Sequence, residues 1–544
     1  MTSLIHDLKN DGYVSVTNQM VRECRRLMER SSKVAHIERI LAARPGRKRV
    51  HSVTTLLALY ALAIDQSRAT EAIIARTAEI ADALAPSQRQ MLGLTSSYHP
   101  DQLYRLNALL ASLELDCDAD GVVPDGSLPF TLNALATDII NAAIPDQIRP
   151  TTTFAVDGTD IESWGNYFTA KRRREAGDDG RIPDPEASMG HRTASQNAKD
   201  MFYGHMAHLA TDLPEFGFTG NHVPLIRAVA MASNAEGVTA RAGLEAIDEV
   251  RDLMPVEHVI ADRGYTFATT DKWASPLAER GIRQTLDLHP AQVGPQPGPV
   301  NLPGTRFVDG GLFSAGMPGR LLRLKRVPRF QGAAEHVEHV AAFDERSLYA
   351  FRRVSEFKDI WYGPAYAGRE RVRCPNWPAS MTKLDLPLTT CTAGTPCSCG
   401  ARKTVRDFDP RLAQRHLWGT SDWEADYGRR TFVESTNSFL KTQVGKITRG
   451  SIRVMGRAKT TLAVGIILAI INMRMIRSRY GIGLTDESIP DIPAAKPPRR
   501  KYAARYKQKA KPRTTNAAPA KRGDRSALPA SMQPPAIVRT TTQQ

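Results

Sequence analysis

Residues 151–160, TTTFAVDGTD, mark a change of texture in this 544-residue chain. β-Branched and aromatic residues run up to Asp157–Gly158, which predicts a strand that delivers Asp157 at its end and then turns tightly. Working outward, MFYGHMAHLAT (201–211) and PLIRAVAMASN (224–234) read as two further strands. AEGVTARAGLEAIDEVRDLM (235–254) reads as a helix, and EHVIADRGYT (257–266) as a short apolar strand that ends on Asp262. GIRQTLDLH (281–289) is the candidate fifth strand. A β-β-β-α-β order predicts an α/β fold whose mixed sheet presents carboxylates at strand ends.

The flanks read differently. Residues 1–148 are expected to be helical, because HSVTTLLALYALAIDQ (51–66) and ATEAIIARTAEIADALA (69–85) repeat apolar residues at helical spacing. The basic cluster RPGRKRVH (44–51) beside them suits a DNA-end-binding module, and PDGSLP around Asp125 marks its exit. Residues 149–289 then form the first part of the core. A Pro- and Gly-rich stretch, HPAQVGPQPGPVNLPG, opens an insertion expected over 290–415, and the core resumes over 416–485.

Net charge is +16, and the segment from Lys496 to Arg525 holds twelve Lys or Arg against one acid. That Pro- and Ala-rich tail, 486–544, is expected to be disordered and to attract polyanions without reading their sequence. The start, MTSLIHDLKNDGYV, lacks the apolar region of a signal peptide. The longest apolar run, LAVGIILAII (462–471), is too short for a membrane span and reads as a buried helix. Six cysteines in such a chain are no disulfide framework. A cytoplasmic, nucleoid-associated protein is expected, without a membrane partner.

The segment DYGRRTFVESTNSFLKTQ (426–443) carries one acid among cations. At about 100° per residue, Tyr427, Arg430 and Lys441 fall within roughly 40° of Glu434 on a helix. Phe432, Val433, Phe439 and Leu440 take the opposite, core-facing side. Arg429 lies about 100° round from Arg430, off the stripe. A solvated face with an Arg430–Glu434 pair is the plain alternative.

Together, Asp157, Asp262 and Glu434 form an oxygen donor set for Mg²⁺, with Mn²⁺ as a substitute. Two such ions can activate an attacking oxygen and stabilise a leaving one in phosphoryl transfer. Arg430 and Lys441 would bind phosphates on either side of the carboxylate, and Tyr427 would donate to a phosphate oxygen.

The chain resembles DDE transposases of the bacterial insertion-sequence type. The strand ends VDGTD and ADRGYT and the helix YGRRTFVESTNSFLK match that family's three acidic motifs. Tyr427-x2-Arg430-x3-Glu434-x6-Lys441 fits its Y-R-E-K signature at all four positions. The resemblance covers about 150–290 and 416–475. It implies an RNase H-like catalytic core interrupted by an insertion, preceded by a helical domain and followed by the basic tail. It also implies metal ligation by Asp157, Asp262 and Glu434, and DNA contacts by Tyr427, Arg430 and Lys441. The partners it implies are double-stranded DNA, as element ends and target, and further copies of the chain in the DNA complex. Asp160 lies three residues after Asp157, but Asp157 directly ends the apolar run.

Cys374, Cys391, Cys397 and Cys399 follow a C-x16-C-x5-C-x-C spacing inside the insertion. Four thiolates can close a structural Zn²⁺ site. C-x-C is not the usual C-x2-C knuckle, and reduced packing thiols are the rival. Cys24 and Cys117 are expected to be packing residues. His205 and His208, i and i+3 on a strand, point to opposite faces and suit no shared metal.

Overall fold

In a computed structural model, residues 16–486 are described, apart from 47, 67–71, 115–126, 193–200, 219–221, 235–237, 267, 329–331, 355–358, 406–413 and 444–446. The expected exit around Asp125, Cys117 and the basic tail lie outside the described residues.

The five expected strands all form, and one more joins them. β1 (Thr153–Glu162), β2 (Ser188–His191), β3 (Met201–Asp212), β4 (Ile226–Ala232), β5 (His258–Ala261) and β6 (Arg283–Leu286) make one mixed sheet. β3 pairs antiparallel with β2 along its first residues and with β4 along its later ones. On its other side β3 pairs antiparallel with β1, which pairs parallel with β5, which pairs parallel with β6.

β1 corrects one expectation. The chain does not turn at Asp157–Gly158; it stays extended through Glu162, because β3 supplies partners as far as Glu162↔Gly204. Parallel partner β5 stops earlier, at Val156↔Ala261. Asp157 is therefore at the end of the parallel ladder but in the middle of its own strand.

One side of the sheet edge is closed by helices. Asn472 accepts from Ile226 N (3.0 Å) and donates to Ile226 O (2.8 Å). Asn133 Oδ1 accepts from Met231 N at 3.0 Å. These amides satisfy edge groups of β4 that would otherwise be buried without partners. Asn133 belongs to the helix Leu132–Ala142 and Asn472 to the long helix Arg457–Tyr480. The two approach so closely that a Cβ on Gly465 would meet Ala136 Cβ at 2.5 Å.

The long helix is apolar and long enough, by composition, to cross a membrane, yet 83% of its apolar window is buried inside the fold. Its Leu462, Ile466, Ile467 and Ile470 share one hydrophobic core with Leu27, Leu57, Leu106 and Leu135 from the N-terminal helices. Residues before 148 thus complete their core on an element from 457–480 rather than among themselves. Cys24 is buried there, as a packing residue.

Residues 290–415 hold two small antiparallel sheets, Pro295–Pro297/Arg306–Val308/Gly311–Phe313 and Arg352–Arg353/Ile360–Tyr362/Arg402–Thr404, with the helix Ala333–Ser347.

Candidate functional site

Parallel pairing sets the site. Val156 is opposite Ala261, and Ala261 is opposite Leu286. The next residue in each case is an aspartate, so Asp157, Asp262 and Asp287 lie just past the end of the parallel register on three adjacent strands.

The segment with Glu434 crosses this end of the sheet, but not as one regular α-helix. Ser421–Tyr427 is α-helical, Gly428–Arg430 tightens to a 3₁₀ turn, Thr431–Ser438 is α-helical again and Phe439–Gln443 widens to a π turn. Val433 is buried against Ala155, Leu213 and Ile260, which holds the segment on the sheet face that carries Asp157.

Asp157 is the most enclosed of the three acids, with its side chain 14% exposed. Its Oδ2 accepts from Asn437 Nδ2 at 2.9 Å, and Arg430 Nη1 lies 3.7 Å away. Burial, and then the negative charge of Asp262, push its carboxyl up to about 7, against the pull of Arg430. Glu434 adds to the same repulsion, so the three acids share one electrostatic environment. Asp262 is half-buried and accepts from Gly264 N at 2.8 Å. Glu434 is exposed and accepts from Arg430 Nη2 at 2.6 Å. Arg430 thus bridges Asp157 and Glu434.

The other two stripe residues are placed differently from expectation. Tyr427 does not face solvent; it stacks on Trp423 with ring centres 4.8 Å apart and planes 10° apart. Burial raises its hydroxyl to about 12. Lys441 pairs with Asp160, which is also held by Arg192 Nε at 3.0 Å; Arg192 pairs in turn with Glu162. Arg192, Arg430 and Lys441 are therefore all engaged by carboxylates of the same chain.

Arg429 is off the stripe, as helical geometry predicts, but it is no bystander. It is buried and pairs with Asp426 and with the Pro214 carbonyl. Asp426, fully buried, also accepts from Thr285 Oγ1 at 2.6 Å and lies 3.4 Å from His258 Nε2.

Two participants were missed in the sequence. Asp287 sits within the candidate strand GIRQTLDLH, where nothing in the local pattern marks it. It pairs with Arg263 Nη2 at 2.6 Å and accepts a hydrogen bond from Trp418 Nε1 at 2.9 Å, and Arg326 lies 3.8 Å away. These partners tie the end of the sheet to the chain around Arg326 and Trp418. Asn437 lies three residues after Glu434, one helical turn on, and its side-chain Oδ1 is buried without a hydrogen-bond partner.

The two histidines of β3 have separate structural partners. His208 Nδ1 bonds Tyr265 OH at 2.8 Å, while His205 lies 3.4 Å from Asp184; the two histidines serve different partners. Trp273 and Trp423 are buried, whereas Trp164 is 36% exposed with Arg453 4.8 Å over its ring.

A second centre lies within residues 374–399. The Sγ atoms of Cys374, Cys391, Cys397 and Cys399 all lie within 4.8 Å of one another, and the four could hold a metal such as Zn²⁺. The chain matches no family model and no curated protein.

Proposed function

We propose that this protein is a DNA transposase, cutting the ends of a mobile element and joining them to target DNA by metal-dependent phosphoryl transfer. The observation that carries the reading is the parallel register Val156↔Ala261, which sets Asp157 beside Asp262 on the face where Glu434's helix packs. The antiparallel β1–β3 pair joined to parallel β5 and β6 suits the RNase H-like core that the sequence motifs imply.

Oxygen-only donors suit Mg²⁺ or Mn²⁺, and Asp157, buried beside a second acid, is a group whose charge a divalent cation would stabilise. When bound, the metal would supply activation of the attacking oxygen and stabilisation of the leaving one. The four thiols form a separate centre, of a donor type that suits Zn²⁺. Within the carboxylate site, Asn437 holds Asp157 by one oxygen, and Arg430 spans Asp157 and Glu434. Arg430 and Lys441 become available to phosphate by exchanging a carboxylate partner for a phosphate oxygen. Tyr427 backs Arg430, whose guanidinium lies 5.9 Å over its ring.

The test uses the full-length chain, DNA carrying the sequences that flank its gene, a target plasmid and Mg²⁺. Joined products are expected. Nicks without joining would reduce the reading to a nuclease, and neither product would end it. On pre-cut ends, Arg430→Ala and Lys441→Ala are each expected to slow joining by about a hundredfold, the scale of a reacting group displaced by about 1 Å. DNA affinity, measured in parallel, should fall far less. Loss of joining that merely tracked loss of affinity would show that these cations supply attraction and not position.

A further inference from the structure

We infer that Cys374, Cys391, Cys397 and Cys399 bind a single Zn²⁺ ion whose role is to close the insertion, independently of the carboxylate site and of the function proposed for it. Zinc–thiolate bonds of about 2.3 Å in a tetrahedron place the sulfurs about 3.8 Å apart. Here Cys374 Sγ lies 3.5 Å from Cys397 Sγ, and Cys391 Sγ lies 3.5 Å from Cys399 Sγ. Both separations far exceed the roughly 2.05 Å of a disulfide.

The decisive feature is that every sulfur is close to the other three, within 4.8 Å. Two disulfides would require closeness only within each pair. One tetrahedral ion requires it of all six pairs. A cluster of several irons spreads its thiolates further apart than a single ion does, so a mononuclear site fits best.

The surroundings show what the ion would hold. Around the thiols the chain is nearly all loop, and the helix Pro378–Met381 is only four residues long. Cys374 begins a tight turn closed by Trp377 N to Cys374 O at 2.9 Å. Cys399 O accepts from Ala365 N at 2.8 Å, and Thr390 N donates to Gly316 O at 2.9 Å. Separate loops, around 316, 365, 374 and 391–399, therefore meet at one point. They pack without slack: a Cβ on Gly316 would lie 2.7 Å from Cys391 Sγ, and one on Gly400 would enter the Trp377 ring at 2.3 Å. A small core with so little regular structure gains most from a metal staple.

The decisive experiment is metal analysis of the full-length protein, purified without chelator or added metal. One Zn²⁺ per chain is expected, with all six cysteines reactive as free thiols once the protein is denatured with chelator. Replacement by Co²⁺ should give the intense visible absorption of a tetrahedral thiolate site. Cys374→Ser and Cys399→Ser should lose the metal, whereas Cys24→Ser should keep it. Chelation of the native protein should open residues 363–401 to protease. A metal-free protein with no Co²⁺ spectrum would overturn the inference, as would a non-reduced peptide map showing two disulfides among these four cysteines. Because the Co²⁺ spectrum is read on the unaltered chain, a serine variant that fails to fold leaves the question decidable.

Discussion

Asp157→Asn is expected to abolish metal-dependent DNA cleavage and, at pH 8, to make the metal-free protein more stable than the unaltered one. Losing a metal-binding carboxylate oxygen removes activity. The gain in stability follows from the environment of Asp157, whose carboxyl is raised from an ordinary 3.8 to about 7 by burial and by Asp262. An acid with a raised folded-state pKa is protonated when folded but ionised when unfolded between those two values, so stability falls as pH rises from about 4 to about 7. Above that window the charged form carries a penalty on the order of 4 kcal/mol, an upper limit at 1.36 kcal/mol per pH unit. Asparagine keeps the shape without the charge, so the variant should unfold at higher urea at pH 8 and differ little at pH 4. Added Mg²⁺ should stabilise the unaltered protein and leave the variant unmoved. Retained cleavage would remove Asp157 from the site; equal or lower stability at pH 8 would show that Asp157 is not strained by its charge.

The second large effect concerns Arg429, which helical geometry alone marks as an innocuous neighbour of Arg430. Arg429→Ala is expected to cost about 3–5 kcal/mol of folding stability, the usual consequence of breaking one side of a buried ion pair. Asp426 is fully buried, and without Arg429 its charge would rest on Thr285 and on histidines that burial keeps neutral. Arg430→Ala removes a cation between the enclosed Asp157 and the exposed Glu434, so it should move the urea midpoint less than Arg429→Ala does, and least at acidic pH, where Asp157 is protonated. The contrast separates two kinds of failure in an activity assay: Arg429→Ala acts by unfolding, and Arg430→Ala acts in the folded protein. Coincident urea curves for Arg429→Ala and the unaltered chain would refute the role given to this pair. A double variant lacking both Arg429 and Asp426 should recover part of the loss, because no unpaired charge remains.

Local pattern was enough for what depends on neighbours in the chain. Strand-forming runs located five strands, an uninterrupted apolar run located the buried helix around 462–471, and both aspartates come at the end of an apolar run. Cysteine spacing named the four thiols as candidates, but their convergence to within 4.8 Å belongs to the folded loops, since sixteen intervening residues would allow a far larger separation.

What local pattern could not decide were matters of distant partners. β1 passes through Asp157–Gly158 without turning because β3, some fifty residues on, supplies its hydrogen bonds. Tyr427 turns from solvent because Trp423 offers a ring to stack on, and Lys441 meets Asp160 across 281 residues of sequence. Arg429 is buried because the Pro214 carbonyl, 215 residues away, and Asp426 enclose it. Asp287 and Asn437 acquire meaning only from parallel register and from the helix laid over it. A residue's type and spacing fix what it can do, whereas its charge state and its partner depend on burial, and burial is a property of the assembled chain.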